Sequence, residues 1–126
     1  MRLLLALAAL AGVALAGCSG TSAGPQAGTP PMEDGKYVIR LVQGNRFEPA
    51  QATVPAGSTV VWVTETGLHD VTEGAPGAKA AWSSDDNGAK LTQGDRYERA
   101  FATAGVVHYR CVLHESVGMT GTLTIT

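Results

Sequence analysis

The sequence predicts an all-β fold, a sandwich or barrel of short strands, between Lys36 and Thr126. Three observations carry that expectation. Short runs rich in β-branched and aromatic residues recur along this stretch, Ser58 to Thr64 being the clearest. Turn signals separate them at short intervals. No segment sustains a helical apolar period, and Ala78–Trp82 offers a turn of helix at most.

Taken in order, the chain starts with a segment outside that fold. Met1 and Arg2 precede an apolar run from Leu3 to Ala16, shorter than the ~20 residues a helix needs to span a bilayer. A basic start, an apolar core and small residues before a break describe a secretory signal peptide. Leu15-Ala16-Gly17-Cys18 resembles the lipobox of bacterial lipoproteins, which implies cleavage after residue 17 and lipidation of Cys18. Two or more acyl chains anchor a protein firmly, so the mature chain is expected to be exported and tethered to a membrane of the cell envelope, on its periplasmic or extracytoplasmic face. Ser19 to Pro31 holds neither charge nor a large apolar side chain. Residues 18–35 are therefore expected to be the lipidated cysteine and a flexible linker, with Met32 an unsuitable ligand inside it. Residues 36–126 are expected to form one domain.

The expected strands are Lys36–Val42, Gln51–Val54, Thr59–Thr64, His69–Glu73, Arg96–Ala102, Val106–Cys111 and Gly121–Thr126. Gly44-Asn45, Pro55-Ala56-Gly57, Gly74, Pro76-Gly77, Asn87-Gly88, Gly94 and Gly105 supply the turns between them. Trp62, Trp82, Tyr97, Phe101 and Tyr109 are expected to fill the interior. Charge is weakly informative: the chain carries a net −2, with no basic stripe for nucleic acid and no polybasic helix for a membrane surface.

Cysteine use is more telling. Of two cysteines, lipidation would consume Cys18 and leave Cys111 alone in an oxidising compartment, where a free thiol needs an explanation. Its neighbours supply one. Cys111, His114 and Met119 fall in a single loop between two strand-like runs, and thiolate, imidazole and thioether suit copper. A second imidazole would complete a trigonal plane. Only His69 and His108 remain, and strand alternation places His108 opposite to Cys111, which leaves His69.

At these residues the chain resembles the cupredoxins, blue copper proteins of the plastocyanin and halocyanin type. Phe47-Glu48-Pro49, Gly57-Ser58-Thr59-Val60 and His69-Asp70-Val71 match the first half of that family's pattern. Trp82-Ser83-Ser84, Gly94-Asp95, Gly105 and the Cys111-to-Met119 loop match the second. The resemblance implies a Greek-key β-sandwich of about seven to eight strands. It also implies one copper ion cycling between Cu(I) and Cu(II), held by His69, Cys111 and His114 with Met119 as a weak axial ligand.

Around that site, Asp70 stands where the family usually has Asn. Its backbone N–H is expected to donate to the Cys111 sulfur, as is typical of the family. An ionised side chain cannot donate across to the cysteine loop, as Asn does. It is expected either to sit charged near the copper and lower the potential, or to face solvent. Val112, Leu113 and Val117 are expected to surround His114 with apolar surface, at the end where the family passes electrons to a docked partner; the alternative for Leu113 is a place in the core.

The function expected is one-electron transfer between redox proteins of the envelope, such as c-type cytochromes, oxidases or reductases, by a monomer. A copper chaperone or store of the same fold is the alternative. A metal-free immunoglobulin-like binding module would leave His69, Cys111, His114 and Met119 unexplained. No Ser-His-Asp arrangement or paired-carboxylate site indicates an enzyme.

Overall fold

The structure, a computed structural model, describes residues 27–126. The expected signal peptide, Cys18 and the first part of the expected linker lie outside the described residues. Among the described residues, ten strands form two facing mixed sheets. They are β1 Ala27–Gly28, β2 Met32–Glu33, β3 Lys36–Val42, β4 Arg46–Glu48, β5 Gln51–Val54, β6 Ser58–Thr64, β7 Thr72–Glu73, β8 Arg96–Phe101, β9 Gly105–Arg110 and β10 Thr120–Ile125. One sheet runs β1-β5-β10-β9-β7; the other runs β2-β3-β6-β8, with β4 added beside β3.

From β5 to β9 successive strands alternate between the sheets, so each connection crosses the sandwich and ties the two layers together. The pairs β3–β6, β5–β10 and β1–β5 are parallel and the others antiparallel. Ile39, Leu41, Val60 and Trp62 from one sheet meet Ala52, Val54, Tyr109 and Leu123 from the other in one buried cluster. That is the alternating inward face a two-layer sandwich requires. Trp62 and Phe47 both meet Tyr109 edge-on, at ring-centroid distances of 5.4 and 4.8 Å. Trp82, Tyr97 and Phe101 pack around Trp62, so all the expected aromatics line the interior. Tyr109 lies across its strand partner Gly121, where an added Cβ would come within 2.2 Å of the phenol ring. Only glycine leaves that space.

Three elements depart from the sequence expectation. Strand pairing begins before Lys36: β1 pairs with β5, β2 with β3, and Pro30 is buried. Composition suggested a linker there because the side chains are small, but ladder hydrogen bonds need only backbone, as when Val38 N–H donates to the Pro31 carbonyl. β4 forms because the Gln43–Asn45 turn folds Phe47 back opposite Leu41. The strand expected over His69–Glu73 survives only as β7. Its first half joins no ladder; His69 exchanges hydrogen bonds with Leu91 instead, at 2.9 and 2.8 Å. Ala78–Trp82 is irregular, and a turn of 3-10 helix occurs at Glu115–Val117.

Candidate metal centre

The site sits at one end of the sandwich, where the segment after β6 meets the β9–β10 loop. His69 is fixed from both sides of the chain. Its backbone is bonded to Leu91, and the next residues are bonded to Ser84, which receives the Val71 N–H on its hydroxyl at 2.9 Å and donates its own N–H to the Val71 carbonyl at 2.9 Å. Its ring packs under Gly67, whose positive φ and missing Cβ make room for Nε2 at what would be 2.9 Å. Nε2 donates to the Thr66 carbonyl at 2.9 Å, so the lone pair is on Nδ1. Such a partner sets tautomer and orientation together.

Cys111 begins immediately beyond β9. Its N–H donates to the Met119 carbonyl at 3.0 Å, while the N–H groups of His114 and Met119 donate to the carbonyls of Cys111 and His114. The loop thus closes on itself and holds its three candidate ligands together. Cys111 Sγ lies 3.8 Å from His69 Nδ1 and 3.5 Å from His114 Nδ1. Ligand atoms of these three residues all fall within 4.8 Å of one another. Met119 is fully buried in the core cluster alongside Cys111. One thiol and two imidazoles presenting Nδ1, with the thioether residue Met119 buried in the same cluster as Cys111, are a donor set that fits copper. His108 is exposed on the outer face of β9, near Thr122, as strand alternation predicts.

The electrostatics suit ligation. Burial holds His69 below the ordinary histidine pKa, against the raising effect of its Thr66 hydrogen bond, so the imidazole is neutral at pH 7. Burial likewise pushes the Cys111 thiol up, against the Asp70 N–H, which favours thiolate. A metal entering the site therefore displaces a thiol proton.

Asp70 is buried, which removes the solvent-facing alternative. Its N–H donates to Cys111 Sγ at 3.5 Å, as expected. Its Oδ1 accepts from Val112 N–H at 3.0 Å and from the Thr72 hydroxyl at 2.7 Å. The carboxylate thus bridges to the cysteine loop as an acceptor, and an amide oxygen would accept the same Val112 N–H without the charge. Val112, Leu113 and Val117 are all exposed, which removes the core reading of Leu113. Leu68, next to His69 in the chain, is exposed too.

Several supporting residues have no signal in sequence spacing. Thr66 orients His69, and Lys90 meets Asp70 from a separate loop. Arg110 is buried although it faces outward on β9, because residues 73–78 fold over it. Its Nη1 and Nη2 donate to the Glu73 and Ala78 carbonyls at 2.8 and 2.9 Å, and its Nε forms an ion pair with Glu115 at 2.7 Å. That arginine fastens the ligand loop to the sheet. A groove of about 400 Å³ lined by Pro30, Pro31, Arg40 and Glu65 lies apart from the candidate ligands.

Comparison with known proteins follows the same lines. The profile of copper binding proteins of the plastocyanin/azurin family matches residues 41–126. A plastocyanin from Scenedesmus fuscus is 37% identical over 84 residues, which span 63% of this chain and 85% of that protein. A purple cupredoxin from Nitrosopumilus maritimus superposes with a TM-score of 0.60 at 25% identity, covering 71% of this chain and 98% of that one. The oxidised plastocyanin of Dryopteris crassirhizoma gives 0.58 at 27% identity, covering 71% and 99%.

Proposed function

Since the chain belongs to the plastocyanin/azurin family of copper-binding proteins and is a blue copper electron carrier, not an enzyme, we propose that His69, Cys111, His114 and Met119 hold its single copper ion. The observation that carries the assignment is the convergence of two Nδ1 atoms on Cys111 Sγ, with His69 Nε2 already committed to Thr66. Copper supplies the one-electron chemistry by cycling between Cu(I) and Cu(II).

The chain's own residues do the rest. The Leu91 and Ser84 bonds keep His69 in place, and Arg110 and the closed loop keep Cys111 and His114 in place, so little rearrangement accompanies a change of redox state. As a carrier, the protein exchanges electrons with other redox proteins. Leu113 and Val117, exposed beside the less buried histidine, supply an apolar docking face for them. Those partners are envelope proteins such as c-type cytochromes, oxidases or reductases. Cys18 carries the lipid that holds the carrier at the periplasmic or extracytoplasmic face of a membrane, a reading that rests on the Leu15–Cys18 motif.

Visible and EPR spectra of the Cu(II)-loaded protein test the ligand set. The expected result is an intense blue band with narrow copper hyperfine splitting, bleached by ascorbate and abolished in Cys111→Ala. A colourless protein that binds only Cu(I) would sink the assignment and favour a copper-handling role. Labelled-fatty-acid incorporation that disappears in Cys18→Ser tests the anchor.

A further inference from the structure

Asp70 brings a charge to the site that the ligand set does not need. Its carboxylate is 0% exposed and lies 3.7 Å from Cys111 Sγ. A carboxylate buried beside a thiolate is costly unless an opposite charge accompanies it. Oδ1 is occupied by Val112 N–H and the Thr72 hydroxyl, which are neutral donors. Oδ2 has a charged partner: Lys90 Nζ at 3.3 Å.

Lys90 is itself held in place. Its ammonium also pairs with Asp85, whose carboxylate accepts from the Ser83 hydroxyl, and Ser83 in turn meets Thr72 at 2.7 Å. The lysine side chain is 30% exposed, so it caps the buried carboxylate from the solvent side. Its pKa lies above the ordinary lysine value: burial alone would lower it, but the hydrogen bond to Asp85 and the charge of Asp70 outweigh burial. The ammonium charge is permanent across physiological pH.

Resting on the assignment of Cys111 as a copper ligand, we propose that Lys90 is the counter-charge of the metal centre, a positioning residue that acts through Asp70. It offsets the carboxylate's negative charge at the thiolate and so keeps the reduced state accessible. Without it, a fixed negative charge next to the ligand sulfur favours Cu(II) over Cu(I). Asp in place of an uncharged Asn is tolerated because Lys90 sets a positive charge against its buried carboxylate, with the second carboxylate on that ammonium, Asp85, partly exposed on the outer side.

The test is the midpoint potential of the copper-loaded protein in Lys90→Gln, Lys90→Arg and Asp70→Asn. Glutamine can still donate a hydrogen bond to Asp70 but carries no charge. In Lys90→Gln the Cu(II)/Cu(I) ratio at fixed poise should shift about tenfold toward Cu(II), which is about 59 mV for a one-electron couple. Lys90→Arg should stay near the parent, and Asp70→Asn should move the opposite way. A second readout needs no copper. In urea unfolding of the apoprotein, Lys90→Gln should cost more stability in the parent than in an Asp70→Asn background, where only the pair with Asp85 is left to lose. A blue parent whose potential is unmoved in Lys90→Gln, or an equal stability loss in both backgrounds, overturns the counter-charge. A parent without a blue band overturns the ligand assignment itself, and the proposal with it.

Discussion

The His69 side and the Cys111–Met119 loop build the two halves of the proposed metal centre by opposite means. His69 is 2% exposed and is immobilised by partners outside the cysteine loop: Leu91, Ser84 through Val71, and nearby Thr66 on the ring. The other three proposed ligands come from one loop, closed by its own hydrogen bonds and strapped down by Arg110. His114 in that loop is less buried and is flanked by exposed Val112, Leu113 and Val117. One half of the site is architecture; the other is a self-contained module that reaches the surface. The difference teaches which proposed ligand solvent can reach: His114, and not His69.

Removing one histidine from each half breaks the comparison most sharply. Both His69→Gly and His114→Gly should lose the blue band of the Cu(II) protein entirely. Added imidazole should restore most of it in His114→Gly, where the vacated position opens toward solvent. In His69→Gly it should restore little, because the gap lies beneath Gly67 and the Leu91 segment. Equal rescue in both, read by titrating imidazole against visible absorbance, would mean that the burial contrast does not govern access.

The same contrast explains what the sequence made legible. Cys111, His114 and Met119 are readable because three soft or borderline ligands in one short loop form a local pattern. His69 is reachable only by elimination, through the period of β9 that turns His108 outward. Lys90 leaves no trace in spacing: it meets Asp70 only because two loops fold against each other. Arg110 shows a limit of period-2 reasoning. It does point away from Cys111, but outward is not exposed once residues 73–78 cover that face. Asp70 was readable as a departure from Asn, whereas its burial and acceptor role depend on the tertiary fold. β1, β2 and β4 were illegible for another reason, since they are specified by backbone pairing with neighbours already in place and not by their own side chains.

A smaller effect sharpens the loop half. Arg110→Met leaves the Glu73 and Ala78 carbonyls without their donors and Glu115 without its partner. Breaking a buried pair from one side should cost the apoprotein about 3 kcal/mol in urea unfolding. Glu115→Gln, which leaves both carbonyl bonds intact, should cost about 1 kcal/mol. If the two variants lose the same stability, the strap is the ion pair alone and the carbonyl bonds add nothing.

The smallest expected effect sets the two halves against each other through pH. In the apoprotein, His69 titrates below its unfolded value of about 6.5. As pH falls through that value the unfolded chain gains a proton that the folded chain does not, so stability present above it is lost on the acid side. Cys111 does the reverse. Its folded pKa is raised, so as pH climbs past the unfolded thiol value of about 8.5 only the unfolded chain releases the proton, and stability is lost on the alkaline side. Each limb is bounded by one proton, at most about 1.4 kcal/mol per pH unit. Urea midpoints from pH 5 to 10 should therefore show a plateau between the two limbs. His69→Gln should flatten its share of the acid limb and leave the alkaline one, while Cys111→Ala should do the opposite. A variant that flattened both limbs would mean that the two halves titrate as one coupled unit and not as separately built walls of the site.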